Sequence, residues 1–206
     1  MMRNKIIFLG APGSGKGTQS AILSEALDIP TISTGNILRA EIKEGSPLGL
    51  EVKAVIESGA LVNDELILSI LAKRLSQPDC AKGYILDGVP RTIAQAEGME
   101  KLGIEINCVI SLQIDDQKVI ERMVGRRVCA KCGATFHEQF NKPKVSGVCD
   151  SCQGELAQRK DDKAETVTER LKVYYQETAP LEAFYQERGA VHQVADRPSI
   201  DDMAAA

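Results

Sequence analysis

Short apolar runs alternate along this chain with longer stretches in which apolar residues recur every three or four positions. Residues 5–9, 84–86 and 108–114 predict buried strands, and 29–32 and 190–194 predict weaker ones. Between them the spacing predicts helices over 15–27, 65–75, 92–102 and 117–124. Strands that alternate with helices predict an α/β fold, with a mostly parallel sheet covered by helices on both faces. From residue 164 onward Val167, Leu171, Tyr174, Thr178 and Leu181 keep helical spacing, and Pro180 either kinks that helix or opens a second one. Two segments break the alternation. Residues 34–63 carry helical patterns and turn signals (Gly45-Ser46-Pro47, Ser58-Gly59) without a strand. Residues 126–163 are rich in cysteine, glycine and charge. Both are expected to be insertions on the core.

Length and composition narrow the picture. A chain of 206 residues suits one large domain or one core carrying insertions. Aromatics make up only 4% and tryptophan is absent, so aliphatic side chains must fill the core. A net charge of −4 gives no electrostatic footprint for nucleic acid. The apolar run at 6–9 is too short for a signal-peptide core and nothing reaches transmembrane length. The expectation is a soluble, cytoplasmic protein with no membrane partner. In such a reducing compartment grouped thiols favour metal over disulfide.

Residues 10–18 read GAPGSGKGT, placed between a predicted strand and a predicted helix. Such a loop bends around phosphate. Its glycines turn backbone N–H groups inward, the helix N-terminus adds a favourable dipole, and the lysine reaches the terminal phosphates. Gly10, Gly15 and Lys16 match the G-x-x-x-x-G-K-[ST] spacing, but Gly17 follows the lysine and the hydroxyl arrives one place late, at Thr18. The loop falls with the Asp87-Gly88 turn at the carboxyl ends of predicted strands, where open α/β sheets bind ligands.

Cys129-Ala-Lys-Cys132 and Cys149-Asp-Ser-Cys152 are two C-x-x-C knuckles sixteen residues apart. This spacing matches a tetrahedral structural zinc site, and four thiolates leave no open position for catalysis. Buried or disulfide-bonded cysteines are the alternative, and His137 is a substitute ligand in principle. Cys80 and Cys108 lack partners at ligand spacing, and Cys108 reads as a core thiol.

Arginines cluster beside the loops: Arg39, Arg91 after the Asp87-Gly88-Val89-Pro90 turn, Arg122, Arg126, Arg127, Arg159 and Arg170. Each alone is an ordinary surface residue; together they bracket segments able to fold over the glycine loop. Phosphoryl transfer needs such positioned positive charge and little covalent work. Asp87, ending an apolar run, is placed to organise Mg²⁺ through water. Asp161-Asp162 reads, for at least one of the pair, as a helix N-cap for the segment after 164.

GAPGSGKGT, STGNILR (33–39), GALVNDEL (59–66), LDGVPRTIAQA (86–96), GRRVC (125–129) and RKDD (159–162) together resemble adenylate kinase in its long-lid, zinc-containing bacterial form. The resemblance implies a P-loop core of residues 1–33, 64–125 and 164–206, a helical insertion at 34–63 that binds the nucleoside monophosphate, and a zinc-binding lid at 126–163. It implies reversible transfer of the γ-phosphoryl of ATP to AMP, giving two ADP, with Mg²⁺ as cofactor, structural Zn²⁺, and a monomeric enzyme. By the match, Lys16 and the backbone of Gly13, Ser14, Gly15, Gly17 and Thr18 hold the donor phosphates, and Arg122 lies against the donor adenine as a flat cation. Arg126, Arg159 and Arg170 surround the transferred group, while Arg39 and Arg91 grip the acceptor phosphate. Thr34, Leu61, Val62, Gly88 and Gln95 surround the acceptor base. The chain departs from the family pattern at Asn36 (usually Asp), at Val89 (usually Phe, an aromatic face beside the acceptor) and at Lys142 (commonly Pro), and IDDMAAA implies a stunted last helix. Two other readings remain open: a nucleoside monophosphate kinase with GTP as donor or a different acceptor, and a zinc-ribbon protein that binds nucleic acid and uses the loop as a nucleotide switch.

Overall fold

The structure, a computed structural model, describes residues 3–197 and 199–205. Met1, Met2, Pro198 and Ala206, which fall in the expected core segments, lie outside the described residues. β1 (Lys5–Gly10), β2 (Thr31–Ser33), β3 (Tyr84–Asp87), β4 (Cys108–Gln113) and β8 (Val191–Ala195) form one sheet in the order β2-β3-β1-β4-β8. Every pairing is parallel; Ile7 lies opposite Leu86 on one side and Val109 on the other. The chain builds one half of the sheet through β3, then crosses β1 to add β4 and β8. β1 therefore ends at the switch point, where a crevice opens at the strand carboxyl ends. Gly10 and Asp87 both lie there.

Alternation along β1 explains why both faces are covered. Ile7 and Leu9 join Ile32, Leu86, Val109, Leu71, Met99 and Leu181 in one apolar cluster. Ile6 and Phe8 point the other way, into a smaller cluster with Ile29, Ile85, Cys108 and Met203. The covering helices are α1 (Lys16–Leu27), α4 (Asp64–Leu75), α5 (Ile93–Lys101), α6 (Asp116–Val124), α7 (Ala164–Val173), α8 (Pro180–Gln186) and α9 (Ile200–Ala204). α9 spans only 5 residues. No described helix is long and apolar enough to cross a membrane.

Residues 34–63 hold α2 (Thr34–Glu44) and α3 (Pro47–Ser58) and add no strand to the sheet. Gly45 ends α2, and Ser46 then caps α3 by accepting from Gly49 N, with Pro47 in the first turn where its missing N–H costs nothing. Residues 126–163 hold what the sequence pattern concealed: β5 (Arg126–Cys129), β6 (Thr135–His137) and β7 (Leu156–Ala157) pair antiparallel in the order β6-β5-β7. Strands of two to four residues are too short for a period to show.

Pro180 opens α8 instead of bending one continuous helix. The turn before it widens: residues 174–178 run as a π-helical turn, and Ala179 N donates to Tyr174 O at 2.8 Å. The expected N-cap at Asp161-Asp162 is not formed. Lys163 occupies the cap position of α7 without a side-chain bond, because both carboxylates are drawn inward by arginines.

Candidate active site

The glycine loop leaves β1 and ends at α1. Gly13 (φ 79°) and Gly15 (φ 99°) adopt left-handed backbone that a side chain would strain, and Gly15 is the N-cap of α1. Ser14 N donates to Ala11 O, and Thr18 N and Gln19 N to Gly15 O. The N–H groups of Gly13, Gly15, Lys16 and Gly17 find no acceptor among the described residues. They form a ring of donors at a helix N-terminus, the arrangement that receives phosphate oxygens. Lys16 Nζ folds back across the loop, donating to Gly10 O at 2.7 Å, Ala11 O at 2.8 Å and Ser14 Oγ at 3.4 Å. Burial lowers Lys16 to about 8, against a counter-pull from Asp87 and with Arg91, Arg170 and Arg126 adding to the fall. Gly17 faces Asp87: a Cβ added there would touch Asp87 Oδ2 at 3.5 Å. The step from Lys16 to Thr18 without a side chain leaves that carboxylate open toward the loop.

A cavity beside this loop is lined by Thr34, Arg39, Leu61, Val62, Gly88, Arg91, Gln95 and Arg170, together with Gly35, Ile56, Gly59, Ile67 and Asp161. Helix α2 supplies one wall, the 59–62 turn the second, and the β3–α5 connection the third. Thr34 Oγ1 donates to Gly88 O at 3.3 Å and Arg91 Nε donates to the same carbonyl at 2.9 Å. Arg39 Nη2 donates to Asn36 Oδ1 at 2.9 Å, so the uncharged Asn36 still steadies that guanidinium. Gln95, 1% exposed, accepts from Arg91 N at 2.7 Å and donates to Asp64 Oδ1 at 2.7 Å. Val89 does not line the cavity. It is buried in the apolar cluster with Leu38 and Val52.

Arg126 and Arg170 converge on the same buried acids. Arg126 Nε donates to Asp162 Oδ2 at 2.8 Å and a second nitrogen to Oδ1. Arg170 Nη1 reaches Asp161 Oδ2 at 2.7 Å and Asp162 Oδ1 at 3.4 Å. Against the cost of burial, Arg170, Arg39, Arg126 and Arg159 hold Asp161 below the usual carboxylate range. The roles of these acids were hidden in the RKDD run, whose flanking arginine was the available signal. Burial also pushes Arg39, Arg91, Arg159 and Arg170 below the usual guanidinium range. Guanidinium stays charged in proteins, so the crowding is an electrostatic cost that a bound anion relieves. Among the described residues the acids acting on Lys16, Arg39, Arg91, Arg126, Arg159 and Arg170 are chiefly Asp87, Asp161 and Asp162, an excess of three positive charges in a chain of net charge −4. Arg122 stands apart, paired with Asp196 at 2.8 Å.

The insertions meet over this centre. Lys43 Nζ donates to Ala130 O at 2.7 Å, and Lys160 pairs with Glu57 at 2.9 Å. The Cβ that Gly59 lacks would lie 2.7 Å from Arg170 Cγ. Arg39 comes from residues 34–63, Arg126 and Arg159 from 126–163, and Lys16, Arg91 and Arg170 from the core, so the full cation set exists only when the three are together.

The four knuckle cysteines converge, with all Sγ atoms within 4.8 Å of one another. Cys129–Cys152 and Cys132–Cys149 stand at 3.4 and 3.6 Å. Four sulfurs about 2.3 Å from one ion sit roughly 3.8 Å apart, so the donor set fits a tetrahedral thiolate site. The N–H of Cys132, and then that of Lys131, hold Cys129 down to about 6. Thiol hydrogen bonds, from Cys132 first, push Cys152 up to about 12. Four thiolates this close would repel one another, and a dication at their centre would relieve that repulsion. His137 is committed elsewhere, its Nδ1 accepting from Gln139 N and Phe140 N. Cys80 and Cys108 are buried thiols away from the cluster.

A family model for adenylate kinase matches residues 8–190. The chain is 48% identical over 202 residues to an adenylate kinase of Acetivibrio thermocellus, covering 96% of this chain and 93% of that one. It is 47% identical over 205 residues to one of Carboxydothermus hydrogenoformans, covering 98% and 96%. An adenylate kinase of Geobacter sulfurreducens is 46% identical over 202 residues, covering 96% and 93%. Together with the parallel sheet, the glycine loop and the cation-lined cavity beside it, these matches show that the chain belongs to the adenylate kinase family.

Proposed function

We propose that this chain is the phosphotransferase that moves the γ-phosphoryl group of ATP to AMP, reversibly, giving two ADP. One observation carries the reading: a donor-lined loop and a cavity ending in a buried amide share a single set of cations. The polyphosphate of ATP lies in the loop, held by Lys16 and the backbone of Gly13, Ser14, Gly15, Gly17 and Thr18. AMP fills the cavity, its phosphate on Arg39 and Arg91 and its base among Thr34, Leu61, Val62, Gly88 and Gln95. Arg122 stacks on the donor adenine once released from Asp196. An oxygen of the AMP phosphate bonds to the γ-phosphorus as the bond to the β-bridging oxygen breaks, and ADP departs from each side. The attacking oxygen is already an anion, so no general base is needed. Arg126, Arg159 and Arg170, with Lys16 and Arg91, neutralise charge spread over the migrating group. Asp87 would organise the Mg²⁺ that accompanies ATP, and that ion would supply charge neutralisation at the phosphates. Residues 126–163 act as a lid holding structural Zn²⁺ on Cys129, Cys132, Cys149 and Cys152. Residues 34–63 form the monophosphate-binding insertion on a core of 1–33, 64–125 and 164–206. Closure excludes water and favours transfer over hydrolysis. We place the enzyme in the cytoplasm as a monomer.

The acceptor assignment is tested by Gln95→Leu, which should raise the KM for AMP by about tenfold or more through loss of paired hydrogen bonds to the base. The KM for ATP should change little. Equal losses for both substrates would contradict the assignment.

Lys16 gives a pH signature. Its level of about 8 means that the free site holds the proton below that pH and loses it above. kcat/KM for ATP should be level below pH 8 and fall by about tenfold per unit above it, because that ratio reports the free enzyme. In Lys16→Met this limb should vanish. A profile that stays level up to pH 10 in the unaltered enzyme would remove Lys16 from ATP recognition.

A further inference from the structure

Within the GALVNDEL run Asp64 stands directly behind Gln95, outside the acceptor cavity. It is the first residue of α4, after the cap at Asn63, where the helix N-terminus favours a carboxylate anion. Its Oδ1 accepts from Gln95 Nε2 at 2.7 Å and its Oδ2 from Thr92 Oγ1 at 3.1 Å. Thr92 Oγ1 in turn accepts from Gln95 N at 3.0 Å, capping α5. On its other side Gln95 Oε1 accepts from Arg91 N at 2.7 Å.

An ionised carboxylate only accepts and a backbone N–H only donates. The amide of Gln95 is therefore locked at both ends: turning it over would set its oxygen against Asp64 and its NH₂ against the Arg91 N–H. One N–H and one lone pair are left for a ligand, in a fixed order. Adenine offers an acceptor at N1 and a donor at its amino group; hypoxanthine and guanine offer the reverse, a donor at N1 and an acceptor at O6. With the phosphate end anchored by Arg39 and Arg91, the base cannot turn over to compensate.

We propose that Asp64 is the positioning residue that sets acceptor-base specificity, by fixing the polarity of the Gln95 amide in the orientation that accepts adenine and rejects 6-oxopurines. This rests on the acceptor-base role given to Gln95. Without the carboxylate at 64 the turned amide is no longer opposed on that side, and only the Arg91 N–H still holds the original orientation.

The test compares the unaltered enzyme, Asp64→Asn and Asp64→Ala with AMP and with inosine monophosphate as acceptors, ATP being the donor. In the variants the ratio of kcat/KM for AMP to that for inosine monophosphate should fall by about tenfold or more. Part of the change should be a gain, a lower KM for inosine monophosphate, with the KM for ATP unchanged. A merely structural role would not produce a gain. A ratio that stays constant, or acceptor KM values that rise together, would overturn the proposal. A measurement without substitution runs alongside: with AMP bound, the unaltered protein should show a hydrogen-bond scalar coupling between Gln95 Nε2 and the Asp64 carboxylate carbon, and its absence would overturn the proposal equally. An unaltered enzyme that does not phosphorylate AMP would instead refute the functional reading itself.

Discussion

Lys16→Met should lower kcat by about 10²–10³-fold while the protein remains folded, because the lost charge acts mainly where negative charge builds up between the donor and the migrating group. The structure explains why the fold should survive. Lys16 Nζ is held by two loop carbonyls and one hydroxyl, and burial already disfavours its charge. Methionine keeps the stem and removes a buried cation, so the melting temperature should shift by only a few degrees. Steady-state assay at saturating nucleotide with a parallel thermal melt separates the two effects. Near-normal turnover in a folded variant would remove Lys16 from the reaction.

Loss of the metal should be nearly as severe, but for stability. The apolar cluster of the cysteine-bearing segment consists of Cys129, Cys149, Phe136 and Leu156, with Ala134 and Cys152 against it. Half of its buried members are thus candidate metal ligands. Phe136 and Leu156 are its only large apolar members, so a metal held by the four thiolates would add folding free energy where the apolar core is small. Metal analysis should find about one zinc per chain, as one four-ligand site requires. Cys129→Ser, or chelation of the unaltered protein, should release it. Amides of 126–163 should then exchange rapidly while those of β1, β3 and β4 stay protected. Activity in the cold should fall less than lid stability. Unchanged protection across 126–163 in the zinc-free protein would show that the metal is not structural.

The parallel sheet was legible because its strands are unbroken apolar runs between glycine turns, as at 5–10 and 84–87. The loop was legible because a glycine-lysine pattern sits between strand and helix. The cysteine cluster was legible from spacing alone. What stayed hidden depends on contacts far apart in sequence. Asp161 and Asp162 look like a helix cap in a linear reading, yet they are buried beneath Arg126 and Arg170, eight to thirty-six positions away. Asp64 reads only as an acid in the first turn of a helix, and its bond to Gln95 spans 31 positions. The strands within 126–163 were too short to carry a period.

One phosphoryl group should pass directly from ATP to AMP within this cation cluster. Incubation with Mg²⁺, AMP and ATP labelled in the γ-phosphoryl group, with every product separated, tests it most directly. Label should appear in ADP, two ADP should form for each ATP consumed, and little label should reach inorganic phosphate. Release of inorganic phosphate without labelled ADP, or faster labelling of a different nucleoside monophosphate, would contradict the account.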